Sequence, residues 1–212
     1  MQRWFPPESP STLAVAVAAV AGGALLANSF GVIATAVGRA SYWPPGERDW
    51  RFYLQWTLAQ TVTVAVLVVA VLDWNSLGLP RVPSLAIGLA LFVPGFAVAI
   101  AAGFDLGAEE TAGLSGELRT DGWYRYSRNP QYVGYLVASV GFALVANSVL
   151  VTTLCALYVC WWVLLPFVEE PWLRAEYGAA YERYADRTPR FVGWRTIRAL
   201  TTPDRRRSAE GE

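Results

Sequence analysis

The polar positions of this chain are crowded into a few short stretches, and the residues between them are almost unbroken apolar runs. Five runs are long enough to span or nearly span a bilayer, at residues 12–37, 53–72, 83–104, 131–146 and 149–167. The last two come from one charge-free block, 131–168, that is too long for a single span. Asn147-Ser148 near its middle supplies a turn signal, which divides it into a tight helical hairpin. The first arm of that hairpin is short, about 24 Å at the helical rise, so it relies on a neighbour to cover its ends. The first run is too long for a signal peptide and reads as an anchor.

The expected fold is therefore all-α: a polytopic membrane protein of about five transmembrane helices, closed by a C-terminal helical hairpin and a cytoplasmic amphipathic helix. Three N-terminal transmembrane helices occupy 1–104. A core of loop, hairpin and interfacial helix occupies 105–200, and 201–212 reads as a disordered charged tail.

Arginine placement gives the expected sidedness. Arg39, Arg48 and Arg51 come after the first run, Arg119, Arg125 and Arg128 after the third, and nine arginines lie from Arg174 onward. The opposite side has Arg3 and Arg81. The positive-inside rule then sets the N-terminus outside and the C-terminus in the cytoplasm, in the cell (inner) membrane. Trp43, Trp50, Trp56 and Trp74 fall near span ends, where aromatic belts sit. The cytoplasmic side carries the two large polar segments, so chemistry is expected there.

Composition narrows the chemistry. The chain is 54% hydrophobic and 16% charged, too apolar for a soluble protein of 212 residues. Its net charge of zero gives no reason to expect a nucleic-acid partner. It has no histidine, which removes imidazole as a base or ligand and leaves no metal site to expect. Cys155 and Cys160 share one run and read as small core or lipid-facing residues.

Two constellations carry chemistry. In Gly122-Trp-Tyr-Arg-Tyr-Ser-Arg-Asn-Pro-Gln-Tyr-Val-Gly134, Asn129 reads as an N-cap and Pro130 as the first residue of the fourth span. The free N–H groups at such an end accept an anionic group such as a carboxylate, and Arg125 and Arg128 add charge beside it. Tyr124, Tyr126 and Tyr132 add rings and hydroxyls, and Gly134 admits a close neighbour. In the second constellation, Glu169 and Glu170 close the fifth span at the edge of hydrocarbon, where ionised groups usually have partners. Pro171 is expected to begin a new helix whose Leu173, Tyr177, Tyr181 and Tyr184 form one aromatic stripe along the interface. The hairpin brings both constellations to one edge. Arginines hold a carboxylate, a glutamate holds an ammonium or ribose hydroxyls, and tyrosine faces sit near a sulfonium or adenine.

The run Tyr124-Arg-Tyr-Ser-Arg-Asn-Pro-Gln-Tyr-Val-Gly134, with Glu169-Glu170-Pro-Trp-Leu173, Tyr177-Gly178-x-x-Tyr181-x-x-Tyr184 and Pro189-Arg190, resembles the isoprenylcysteine carboxyl methyltransferase and phospholipid methyltransferase superfamily. The resemblance covers residues 116–191. It implies an S-adenosylmethionine pocket built from the hairpin and the C-terminal tail. Tyr124, Asn129, Pro130 and Tyr132 would touch the cofactor, Glu169 would be its acidic contact, and a loop near Leu118 and Arg119 would close over it. Arg125 joins this set through its charge. Arg128 and Glu170 are the candidate catalytic residues, Glu170 as the base that an amine or hydroxyl acceptor needs.

Two positions depart from the pattern. Isoprenylcysteine enzymes usually have His at the position of Asn129, and the eukaryotic ones place an Arg where this chain has Leu165. The second departure weakens a prenylated-protein carboxylate as acceptor. The implied partners are the membrane and a small or lipid-like methyl acceptor entering sideways from the bilayer. The competing readings are an NADPH-dependent reductase of the steroid 5-alpha-reductase type, whose relatives carry Arg-His-Pro-Asn-Tyr, and a non-enzymatic transport or assembly protein.

Overall fold

The computed structural model describes residues 10–194 and 196–197. The tail expected at 201–212 lies outside them. Among the described residues the regular elements are all helical, with one isolated bridge between Gly46 and Leu114. Its helices are α1 (Thr12–Ala36), α2 (Trp50–Leu72), α3 (Arg81–Leu106), the single turn α4 (Ala108–Thr111), α5 (Pro130–Ala146), α6 (Val149–Tyr177) and α7 (Ala179–Ala185), with a 3-10 turn at Gly122–Arg125. Among these, α1, α2, α3 and α6 are long and apolar enough to cross a membrane, and α5 is a shorter apolar helix of 17 residues. The protein is an integral membrane protein.

Local chemistry sets the helix starts. The Ser11 hydroxyl accepts from Ala14 N at 3.1 Å, Asp49 accepts from Arg51 N at 2.9 Å, and Ser148 accepts from Val151 N at 3.1 Å. Asn129 and Pro130 stand at the expected N-cap and first helical positions of α5, but the Asn129 side chain makes no cap bond. Its amide instead reaches across the chain to the Arg190 carbonyl.

The expected break at Pro171 is absent. α6 runs through Pro166 and Pro171 to Tyr177. A helix-interior proline costs one hydrogen bond and some bending. Here the turn beyond Pro171 is held by other contacts, because Arg174 pairs back to Glu170 and Leu173 is packed in a cluster with Tyr124 and Tyr181. The chain turns at Gly178, whose φ of 52° and ψ of −131° suit glycine far better than any other residue. The aromatic stripe is thus divided. Tyr177 ends α6, while α7 folds back with Tyr181 and Tyr184 buried, so these residues do not form an interfacial helix.

The helices pack as two leaves. α1 lies against α2 and α6, α3 lies along α5, and the α5–α6 contact joins the leaves. The α3–α5 seam is glycine-lined. A methyl group on Gly134 would sit 2.5 Å from Ala99 N and 2.6 Å from the Gly95 carbonyl oxygen. One on Gly141 would run into Phe92 N, and one on Gly95 would sit 2.7 Å from Ala138 N. Backbone meets backbone here, as in small-residue membrane interfaces. This contact covers the short arm of the hairpin.

The end of the bundle with the α2–α3 and α5–α6 turns is tied by a polar knot. Asp73 Oδ2 accepts from the Ser76 hydroxyl at 2.8 Å, the Ser148 hydroxyl at 2.5 Å and Leu150 N at 3.2 Å. The Asn147 amide bonds Asn75 and the Leu79 carbonyl. At the opposite end, backbone bonds join Gly46 to Gly113 and Arg128 to Pro189. Of the four tryptophans expected in belts, Trp50 and Trp74 are exposed, whereas Trp43 is buried. Cys155 is buried and Cys160 exposed.

The seam makes a prediction. Gly134→Ala should destabilise the protein by at least about 1–3 kcal/mol, because no flexible side chain can yield. Gly23→Ala, with open space around it, should be neutral or stabilising by up to about 1 kcal/mol. Thermal melting of both variants in detergent measures this. Equal melting of Gly134→Ala and the parent would mean that the two backbones do not meet there.

Candidate ligand site at the arginine-rich end

The segment 122–129 is stitched to the chain beyond α7. Arg128 N donates to the Pro189 carbonyl at 2.9 Å, and the Asn129 side-chain amide donates to the Arg190 carbonyl at 2.9 Å. The Tyr184 hydroxyl donates to the Tyr124 carbonyl at 2.7 Å, and the Ser127 hydroxyl to the Arg190 carbonyl at 3.2 Å. Burial pushes the Tyr181 phenol up to about 12, and those of Tyr124 and Tyr184 higher still, so all three remain neutral donors.

Glu170 is the centre of this stitching. Its side chain is 3% exposed and meets Arg190 Nε at 2.6 Å, Arg128 Nη1 at 3.2 Å and Arg174 Nη2 at 3.3 Å. Both carboxylate oxygens are engaged by guanidinium groups. A carboxylate so occupied has no lone pair aimed at an acceptor, so the structure argues against Glu170 as a base and gives it a positioning role. The same contacts hold the Arg190 guanidinium cationic, its pKa raised by the hydrogen bond to Glu170.

Glu169 has a different neighbourhood, since adjacent residues on a helix point about 100° apart. Its Oε1 accepts from Trp43 Nε1 at 2.6 Å and from the Tyr132 hydroxyl. Both bonds fall on one oxygen, which leaves Oε2 for a ligand.

Beside Glu169 lies a cavity of about 110 Å³. Leu118, Arg119, Tyr124, Arg128, Asn129, Tyr132 and Glu169, all read from the sequence, line it. Arg125, Pro130 and Glu170 do not. Arg125 lies over the Tyr126 ring, 4.5 Å from its centroid, and bonds its hydroxyl. Pro130 is buried at the helix start. Sequence reasoning missed Glu110, Thr111, Gln131 and Trp172 as lining residues. Tyr177, Tyr181 and Tyr184 also line it, and their stripe was visible but assigned to the interface.

Two lining arginines are incompletely used. Arg119 Nε and Arg128 Nε are buried without a hydrogen-bond partner. Unmet guanidinium donors at a cavity suit an anionic oxygen. The segment 107–121 roofs the space. Tyr177 bonds the Gly116 carbonyl at 3.0 Å, Gly46 N bonds the Gly113 carbonyl at 3.1 Å, and Arg48 meets Glu109 at 2.6 Å in an exposed pair.

A second cavity, of about 470 Å³, adjoins the first, sharing Thr111, Gln131 and Tyr132 with it. It lies between the two leaves, with α2 on one side, α3 on the other, and α5 and α6 behind. Its wall is aromatic, and Trp162 stacks on Tyr135 at 4.5 Å and on Tyr158 at 6.0 Å.

The helical bundle thus carries a cavity with charged side chains in its wall at one end and an aromatic cavity beside it. Residues 83–180 match the model of the phospholipid methyltransferase family. The match runs from α3 to the start of α7, agrees with the resemblance to the isoprenylcysteine carboxyl and phospholipid methyltransferase superfamily, and supports a membrane methyltransferase in general. No curated protein and no solved structure matches the chain.

Glu170→Gln should leave the three arginines short of a counter-charge. Breaking a buried pair costs about 3–5 kcal/mol, and the partial exposure of Arg174 and Arg190 puts this case near the lower figure. The expected result is a lower melting temperature and faster tryptic cleavage at Arg187 and Arg190. Unchanged cleavage would show that Glu170 does not anchor this segment.

Proposed function

We propose that the chain transfers a methyl group from S-adenosylmethionine, held in the cavity beside Glu169, to a small or lipid-like acceptor in the adjoining aromatic cavity. The observation that carries this reading is the pair of buried, unpartnered guanidinium nitrogens of Arg119 and Arg128 at a cavity that also offers Glu169. A zwitterionic, cationic ligand needs that combination. The arginines and Asn129 suit a carboxylate, and Glu169 Oε2 suits an ammonium or ribose hydroxyl. Tyr124, Tyr132 and Tyr181 suit the sulfonium and the flat adenine. The family match supports the same reaction class.

When bound, S-adenosylmethionine supplies a methyl group already activated on sulfur. The protein's part is proximity, alignment and exclusion of water. The Trp43–Glu169–Tyr132 contact stands where the two cavities meet, and Tyr132 faces both. Ligand sites are usually roughly 300–1,000 Å³, so the cofactor space must widen, and the 107–121 roof is the element with least to lose in moving. The distribution of arginines supports a cytoplasmic site for the cofactor and a C-terminus on that side.

The test is a melting measurement on purified protein in detergent. S-adenosylhomocysteine at a hundred times its Kd should stabilise the protein by about 2.7 kcal/mol, and NADPH should not. Glu169→Ala should abolish the shift while the protein stays folded. A shift from NADPH alone would favour a reductase, and a full shift in Glu169→Ala would remove this residue from the site.

A further inference from the structure

The aromatic cavity carries a signature of its own. No Asp, Glu, Lys or Arg lines it. Two of its lining residues nonetheless carry an unmet polar atom: Gln55 Oε1 and Trp161 Nε1 are buried without a hydrogen-bond partner, and their residues are each 3% exposed. An unsatisfied buried acceptor and an unsatisfied buried donor each cost about 1–3 kcal/mol. The Gln55 side chain is not needed for the fold's own contact at that point, because Asn28 bonds the Gln55 backbone carbonyl.

We propose that this cavity binds a lipophile with a neutral hydroxyl head, and that it rejects carboxylate and phosphate heads. A hydroxyl donates one hydrogen bond and accepts others. A hydroxyl that reaches both side chains donates to Gln55 Oε1 and accepts from Trp161 Nε1. An anion supplies no donor for Gln55 and finds no positive side chain, so its desolvation goes uncompensated. The Tyr135, Tyr158 and Trp162 rings provide the apolar wall for the rest of the molecule. The cleft between α2 and α3 gives a bilayer-dissolved compound a way in. Its binding rests on the cavity alone and does not require that it be the methyl acceptor.

The probes are 4-dodecylphenol, 4-dodecylbenzoate and headless dodecylbenzene, added to the purified full-length chain in detergent at pH 7.5, with melting temperature read against concentration. The phenol should stabilise the protein more than either other compound. Gln55→Leu and Trp161→Phe should each weaken phenol binding roughly tenfold, toward dodecylbenzene, while the shift from S-adenosylhomocysteine stays as in the parent. Equal stabilisation by the benzoate, no stabilisation by the phenol, or unchanged phenol binding in both variants would overturn the assignment. A phenol shift without any S-adenosylhomocysteine shift would keep this site and defeat the methyltransferase reading instead.

Discussion

The arginine-rich end of this protein depends on one buried carboxylate. Glu170 is almost fully enclosed and meets three guanidinium groups, from the segment before α5, from α6 itself and from the chain beyond α7. Taking a carboxylate out of water is costly, and only close, hydrogen-bonded countercharge offsets it. Arg128, Arg174 and Arg190 therefore have to converge, and their convergence fixes the polypeptide around them. The carbonyls at 189 and 190 then receive Arg128 N and the Asn129 amide, and Tyr184 is set against Tyr124. The cavity walls result from a charge that must be neutralised.

The neighbouring carboxylate does the opposite work because of helical geometry. One residue's rotation turns Glu169 away from the arginines and onto Trp43 and Tyr132, two neutral donors. Two acidic residues that look equivalent in the chain thus divide into an anchor and the proposed ligand contact. The division requires α6 to be continuous through Pro171. A break there would free Arg174 from its place one turn beyond Glu170 and dissolve the distinction. The glycine seam matters for the same reason at longer range. It draws α3 onto α5, which leaves α2 without a close partner on that side and opens the cleft occupied by the second cavity.

Spans were readable in the sequence because bilayer burial imposes long apolar runs, and the turn at Asn147 was readable because its left-handed φ of 50° needs a residue of that kind. The meeting of the Asn129 and Glu169 regions came from the hairpin alone. What escaped depended on contacts far apart in the chain. Asn129 has the residue type and position of an N-cap, but the Arg190 carbonyl, 61 residues away, takes its amide. Trp43 has the position of a belt residue, but it is buried in the core and donates to Glu169, 126 residues away. Pro171 is a strong local break signal, overruled by the Glu170–Arg174 pair that spans it. Gln55 had no signal at all, since a glutamine near a helix start is ordinary until its surroundings are known.

The two cavities differ most in what they leave unsatisfied. A folded protein is stable by only a small margin, so unmet buried polar atoms are a measurable burden. Among the described residues five side-chain atoms are so left, and four of them, all but Thr152 Oγ1, belong to residues that line a cavity. The unmet charged donors, Arg119 Nε and Arg128 Nε, line one cavity, and the unmet neutral atoms, Gln55 Oε1 and Trp161 Nε1, line the other. Packing alone gives no reason for that sorting, because leucine or phenylalanine could fill the same wall without cost. The two ligands proposed above, one charged and one neutral, would supply the reason: each unmet atom would become a stabilising contact when its cavity is filled. The shared wall of Gln131 and Tyr132 then fixes where the two must meet, at the start of α5, within reach of the carboxylate that the rest of this end is arranged to present.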